Sequence, residues 1–255
     1  MLEVRSLTKC YSSIPAVDNV SFAIRPGEVL GYLGPNGSGK STTVKIITGL
    51  LEPTSGSVLF RGSNIKDDLV AYKRIIGYVP EEANLYPFLS GLEYLQLVSR
   101  LRGLPELVSE RRAESLLELF AMRPHRHTTI AAYSKGMRQR ILLIAALLHN
   151  PDLIIFDEPL SGLDVTSALI FRKLVSALAR EGKTIFYCSH VLEVVEKVCS
   201  HVIILQKGKQ VANGSIEELK RFQSMPSLED AFSSLVQEVD VEESAAAIVD
   251  AVVSR

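Results

Sequence analysis

The chain has no tryptophan, three cysteines and no apolar run approaching the roughly 20 residues that a membrane-crossing helix needs. Its longest apolar stretches, Ile141 to Leu148 and Leu153 to Phe156, are far shorter, so it is not expected to span a bilayer by itself. Cys10, Cys188 and Cys199 have neither close metal-ligand spacing nor the look of a disulfide framework, which points to a reducing cytoplasm. Met1 to Tyr11 lacks the charged-then-apolar order of a signal peptide. A surplus of charge is missing too. With 28 Lys and Arg against 29 Asp and Glu, a net charge of -1 supplies no attraction to a polyphosphate backbone, and no nucleic-acid partner is expected.

What is present is enough to fold. A chain of 255 residues that is 47% hydrophobic can bury a full core, with one compact unit as the default. Val29 to Leu33 reads as a short apolar strand, and Ser41 to Leu50 as the helix that follows it. Ser57 to Phe60, Ile75 to Val79, Leu153 to Phe156, Thr184 to Tyr187 and Val202 to Leu205 are further strand candidates. Helical patterns separate several of them, which implies a largely parallel sheet covered on both faces. Between Glu81 and Arg140 the periodicity turns helical, with Leu92 to Leu101 and Glu106 to Phe120 as amphipathic segments, so this block reads as an inserted helical lobe. Ser90-Gly91-Leu92-Glu93 has the form of a capping box. From Met225 onward, seven acids face the single base Arg255, and the segment reads as a peripheral helical tail.

The strongest local signal is Gly34-Pro35-Asn36-Gly37-Ser38-Gly39-Lys40-Ser41, a full match to the phosphate-loop pattern, set between a predicted strand and a predicted helix. Its glycines let successive backbone N–H groups turn toward one centre, where the helix dipole also points. Lys40 reaches β- and γ-phosphates, and Ser41, with Thr42 beside it, supplies a hydroxyl for Mg2+. A second signal is Leu153 to Phe156 running into Asp157-Glu158-Pro159, a buried strand that ends in two acids at the edge where open α/β sheets bind ligands. Asp157 is suited to holding the metal. Glu158 is suited to orienting, or taking a proton from, the water that attacks the γ-phosphate.

With these motifs in place, the chain resembles the ABC ATPase family over about residues 1 to 222, and more narrowly the ABC-2 exporter-like subgroup. Asp157-Glu158 looks like the family's Walker B aspartate and catalytic glutamate, and Tyr133-Ser134-Lys135-Gly136-Met137-Arg138-Gln139-Arg140 like its signature motif. Ser161-Gly162-Leu163-Asp164 matches the D-loop, His190 after Cys188-Ser189 looks like the switch histidine, and Tyr11 lies where the family stacks an aromatic ring on adenine. Ser134 and Asp164 also read as ordinary helix N-caps, a reading compatible with function.

The resemblance implies an α/β fold: a P-loop NTPase core with a mostly parallel sheet, an N-terminal antiparallel β subdomain and an inserted α-helical subdomain. It implies a nucleotide-binding domain over 1–222, with the helical subdomain at about 83–140, followed by a helical tail over 223–255. The implied activity is hydrolysis of ATP with Mg2+ at a dimer interface, where Ser134 and Gly136 of one subunit meet the nucleotide held by Lys40, Ser41, Asp157 and Glu158 of the other. Glu158, His190 and Lys40 would be catalytic. The implied partners are a second ATPase subunit and a transmembrane permease subunit, placing the chain peripherally on the cytoplasmic side of a membrane. A soluble ABC-type ATPase acting on ribosomes or DNA is the alternative, although such relatives carry tandem nucleotide domains or a coiled-coil insertion. No guanine-reading Asn-Lys-x-Asp pattern is present.

Two departures stand out. Tyr78-Val79-Pro80-Glu81-Glu82 has Glu81 where the family carries glutamine, so a carboxylate replaces an amide as a metal or water ligand, and its charge needs a cation beside a triphosphate. The signature has Tyr133, Lys135 and Met137 in place of the common residues, while Ser134 and Gly136 are kept. The resemblance implies that Asn84 to Leu89 form the wall of the groove that grips the membrane partner, with ordinary packing inside the lobe as the equal alternative for the apolar residues there.

Overall fold

The computed structural model describes residues 1–223 and 227–236. The first third runs β1 (Leu2–Tyr11), β2 (Ile14–Ile24), β3 (Val29–Leu33), α1 (Lys40–Ile47), β4 (Ser55–Phe60), β5 (Ser63–Asn64), α2 (Leu69–Ile75) and β6 (Ile76–Val79). Three helices follow: α3 (Gly91–Arg102), α4 (Glu106–Leu119) and α5 (Lys135–Leu147). The rest is β7 (Leu153–Asp157), α6 (Val165–Arg180), β8 (Thr184–Cys188), α7 (Leu192–Val198), β9 (His201–Gln206), β10 (Lys209–Ser215), α8 (Ile216–Gln223) and α9 (Leu228–Val236).

Two sheets form. One is antiparallel, in the order β2-β1-β4-β5; the other has the order β10-β9-β3-β8-β7-β6, parallel throughout except at its β10 edge. β3, β7 and β8 are buried along their whole length, because helices cover the parallel sheet on one face and the antiparallel sheet covers it on the other. Phe22, Tyr32 and Phe186 meet between the sheets, with ring centroids 5.0 to 5.9 Å apart. On the opposite face Phe156, Phe171 and Tyr187 pack against one another under α6. A separate apolar cluster centred on Leu95, Leu117 and Ile144 holds α3, α4 and α5 together, so the helical lobe has its own small core.

Local signals set the element limits. The Ser90 hydroxyl accepts from the Glu93 N–H at 3.3 Å, and the Glu93 carboxylate accepts from the Ser90 N–H at 2.7 Å, completing the reciprocal cap that starts α3. Gly103 ends that helix in the left-handed region, at φ 73°. Ser134 and Asp164 cap α5 and α6 as expected, accepting from Met137 and Ser167 respectively. Several predicted boundaries move by one to three residues; α1, for instance, ends at Ile47, before the turn at Gly49.

Where the predicted helical tail is described, it is docked on the domain. Leu228 is fully buried and joins the core cluster of Val194, Val195 and Ile216, with Phe232 and Leu235 packed against it. Leu228, Phe232, Leu235 and Val236 recur at helical spacing, so α9 has an apolar stripe that docks on α7 and α8. The remainder of the proposed tail, 237–255, lies outside the described residues.

Candidate active site

At the carboxyl ends of β3, β7 and β8 a cavity of about 630 Å³ opens. The parallel order β3-β8-β7-β6 creates it, because every strand of that run delivers its following loop to the same sheet edge. Among the predicted site residues, Gly34, Pro35, Asn36, Gly37, Gly39, Lys40, Ser41, Thr42, Glu81, Asp157, Glu158 and His190 all line it.

The loop after β3 is built for anions. Gly39 sits at the N-terminus of α1 with φ 105°; it offers no side-chain cap, and the first turn of α1 contains no acid. The leading N–H groups of that helix therefore keep their affinity for negative charge. A Cβ on Gly39 would come within 2.3 Å of the Ala16 carbonyl oxygen, so neither the dihedral nor the space admits a side chain. Gly39→Ala is expected to cost about 2–4 kcal/mol of stability, measured as a lowered urea midpoint. A midpoint unchanged from wild type would disprove this close approach. Lys40 Nζ folds back onto the carbonyl oxygens of Gly34 at 2.6 Å and Pro35 at 3.0 Å. Ser38 differs from its neighbours: its side chain is buried beside Gly34 and does not line the cavity, while its N–H donates to the Pro35 carbonyl at 3.2 Å.

Opposite this loop stand the acids. Asp157 is buried at the end of β7, and its carboxyl is pushed up to about 6, first by desolvation and then by Glu81 and Glu158; a bond with Cys188 and the Lys40 charge act in the other direction. Burial and the neighbouring carboxylate hold Cys188 as a thiol. Glu158 adopts a left-handed backbone, φ 48°, which is uncommon outside glycine. Its N–H donates to the Cys188 carbonyl at 2.9 Å, its Oε2 accepts from the Ser189 hydroxyl at 3.0 Å, and its Oε1 lies 2.7 Å from His190 Nδ1. These contacts fix a carboxylate whose side chain is only 12% exposed, and they offset the cost of the unusual dihedral. His190 is 73% exposed, so the Glu158 bond is what orients it.

Ser41, Asp157 and Glu81 supply oxygen donors around the cavity, yet no group of three His, Cys, Asp or Glu among the described residues forms a metal cage on its own. A hydroxyl and one or two carboxylates, completed by phosphate oxygens, make the donor set that Mg2+ takes. Three carboxylates facing the single cation Lys40 also leave room for a divalent charge.

Tyr11, Ser134, Gly136 and Asp164 do not line the cavity. The Tyr11 ring is 51% exposed at the end of β1, with Lys9 Nζ 5.7 Å from its centroid. Ser134 and Gly136 lie at the start of α5, where Gly136 packs so closely on the Gly162 backbone that a Cβ would be 2.8 Å from the carbonyl oxygen. Arg140 of the same helix donates to Asp164 and Ser167, both at 3.0 Å, and buried Gln139 donates to the Pro159 carbonyl at 2.9 Å. The start of α5 and the segment after Glu158 are thus tied into one unit. Sequence reasoning placed Gln139 in the signature motif and Ser189 beside the switch histidine without giving either a role, and it missed Leu192 and Phe232, which belong to no motif with its own chemistry.

A strand, a glycine loop at a helix N-terminus and a neighbouring acid-ended strand on a mostly parallel sheet define a P-loop nucleoside triphosphatase. A family model described as ABC transporter matches residues 17–161, and the chain belongs to that family as an ABC transporter ATP-binding protein and ATPase. It is 39% identical over 222 residues to the ABC transporter ATP-binding protein NatA of Bacillus subtilis, covering 87% of this chain and 90% of the relative. With the ABC-type transporter ATP-binding protein EcsA of Bacillus subtilis it shares 34% identity over 240 residues, or 93% and 97% of the two chains. Among solved structures, an ATP-binding subunit of an ABC transporter superposes with a TM-score of 0.88 at 33% identity, covering 92% of this chain and 99% of that one. The dimeric cassette MJ0796 gives 0.78 at 28% identity over 84% and 98%, and its ADP- and Pi-bound post-hydrolysis dimer gives the same values.

Proposed function

We propose that this ATPase works as a Mg-ATP-driven subunit of a transporter whose membrane-spanning part is a separate chain, with nucleotide sandwiched between two ATPase subunits. The observation that carries the proposal is that the cavity lacks two of the residues that the resemblance brings to the nucleotide. It gathers the phosphate loop, Asp157, Glu158 and His190, while Ser134 and Gly136 stand outside it at the uncovered start of α5. A second subunit that brings its own Ser134 and Gly136 to the γ-phosphate completes the donor set, and the helix N-terminus there suits an anion.

In this reading Lys40 leaves the Gly34 and Pro35 carbonyls to reach the β- and γ-phosphates, the backbone from Gly34 to Thr42 cradles them, and Tyr11 stacks on adenine. Ser41, Asp157 and Glu81 hold Mg2+, which when bound neutralises phosphate charge. Glu158 accepts the proton of the attacking water, and His190 reads the γ-phosphate. Asp164, tied by Arg140 to α5, carries the state of one half-site to the other. Residues 1–222 form the nucleotide-binding domain, with the helical lobe at 83–140 and the tail over 223–255. Closure of the dimer on ATP and its release after hydrolysis then follow from differential affinity for the two states.

The surface supports a membrane partner. A groove of about 370 Å³ is lined by Leu50, Val70, Tyr78 and Leu101, with Lys73, Arg74 and Arg102 around it. Asn84 to Leu89 do not line this groove, although Phe88 stands 90% exposed close to the helical lobe in sequence. Apolar side chains ringed by cations suit an amphipathic helix of the partner. No described helix is long and apolar enough to cross a membrane, so a permease chain would supply the pathway.

Affinity capture of the Glu158→Gln variant from detergent-solubilised native membranes with Mg-ATP tests the proposal. A stoichiometric multi-span membrane protein is expected, and Leu101→Asp in the same background is expected to lose most of it. Recovery of ribosomal proteins or DNA-repair factors without any membrane protein would replace this reading with the soluble ATPase alternative.

A further inference from the structure

The last described helix, α9, reaches the cavity. Phe232 lines it together with His190 and Leu192, although it lies forty or more residues further along the chain. The contact has a structural basis. Leu228 and Val236 are buried at the two ends of α9, and Phe232 and Leu235 pack, as Leu192 does, against the cluster that includes Val194 and Val195. The helix is also pinned by polar contacts: the Leu228 N–H lies 3.4 Å from Glu196 Oε2, Glu196 pairs with Lys220, and Gln206 Nε2 donates to the Val236 carbonyl at 3.3 Å. Glu196 belongs to α7, the helix that begins directly after the His190 loop.

Apart from the Ser189 and His190 bonds to Glu158, that loop has few restraints of its own. Val191 at the N-terminus of α7 makes no side-chain cap, and the loop's internal bond is the Val191 N–H to the Ser189 hydroxyl at 3.2 Å. His190 is held by Glu158 through Nδ1, which leaves Nε2 as the nitrogen that can meet a γ-phosphate. Docking of α9, which carries Phe232, on α7, which begins at Leu192, supplies a restraint that does not depend on Glu158.

We propose that Phe232 is a positioning residue for hydrolysis: seated on the wall of the nucleotide cavity by α9, it sets the place of the His190 loop. This rests on the role given to His190 above. Small displacements of a catalytic group cost large factors in rate, so Phe232→Ala is expected to lower kcat about tenfold, with the KM for ATP within about twofold of wild type.

The test is a double-mutant cycle on the full chain, following phosphate release from radiolabelled ATP so that residual rates remain measurable. Phe232→Ala is expected to add no loss in a His190→Ala background, and Phe232→Leu to give a partial loss that vanishes there in the same way. Leu235→Ala, which loosens the same helix without lining the cavity, is expected to lower the melting temperature while keeping kcat. Should Phe232→Ala be unable to fold, the Phe232→Leu cycle carries the decision. Independent, multiplicative losses in the cycle would overturn the proposal, as would a kcat loss in Leu235→Ala equal to that in Phe232→Ala. If His190→Ala loses hydrolysis while both Phe232 variants keep it, only this inference fails. Full hydrolysis by His190→Ala would overturn the His190 assignment and this inference with it.

Discussion

Replacing Glu158 by glutamine is expected to lower steady-state ATP hydrolysis by about 10²- to 10⁴-fold while leaving nucleotide binding in place. An amide has nearly the shape of the carboxylate and can still accept from Ser189, but it cannot take a proton from water. Because the left-handed dihedral of residue 158 belongs to the backbone and any Cβ-bearing side chain meets the same cost there, the variant should fold as wild type does. Without hydrolysis the ATP-bound dimer should accumulate, visible as a doubling of mass by size-exclusion light scattering at micromolar protein with Mg-ATP. Hydrolysis at the wild-type rate would remove Glu158 from the role of base. A variant that binds Mg-ATP and stays monomeric, even with a membrane partner, would count against the sandwiched dimer.

Asp157→Asn is expected to raise the stability of the nucleotide-free protein while abolishing the Mg2+-dependent part of ATP binding. The sign follows from the environment. Burial and the Glu81 and Glu158 charges raise the Asp157 carboxyl from 3.8 to about 6 in the folded chain. Above pH 6 the fold therefore carries a carboxylate where the charged form is disfavoured relative to the unfolded state, a cost of about 1–3 kcal/mol. Asparagine removes that cost, so at pH 8 the variant should melt about 3–9 °C higher than wild type. The advantage should shrink as pH falls through 6 and be gone below about pH 4, where the carboxyl is protonated in both states. Thermal melts from pH 4 to 8, with and without ATP and Mg2+, read out both effects. A variant that melts lower than wild type at pH 8 would show that Asp157 is held by attraction rather than strained by its neighbours.

The two residues illustrate what adjacency in sequence hides. Asp157 and Glu158 are consecutive, yet one extends the strand, buried and raised in pKa, while the other turns into a left-handed conformation and is bound by Ser189 and His190 from the next strand's loop. Two environments for two neighbouring carboxylates arise from that change of backbone direction. Glu81 enters the same cavity from β6, two strands away from β8, and adds a third negative charge that glutamine would not.

Much of this was legible without coordinates. The phosphate loop, the acid-ended strand, the Ser90 cap and the start of α6 at Asp164 follow from patterns spanning a few residues, where glycine dihedrals, caps and 3.6-residue periodicity act locally. The sequence by itself also determined that β3, β7 and β8 would be buried, since unbroken apolar runs have no solvent face to offer. Tertiary structure alone decided which loops share one cavity, because strand order along the sheet brings together residues more than a hundred positions apart. It decided too that α5 is clamped to the segment after Glu158 through Gln139 and Gly136, and that α9 docks on the core and brings Phe232 to the cavity. Those outcomes depend on close packing between distant surfaces, and no single segment of the chain carries the shape of the surface it will meet.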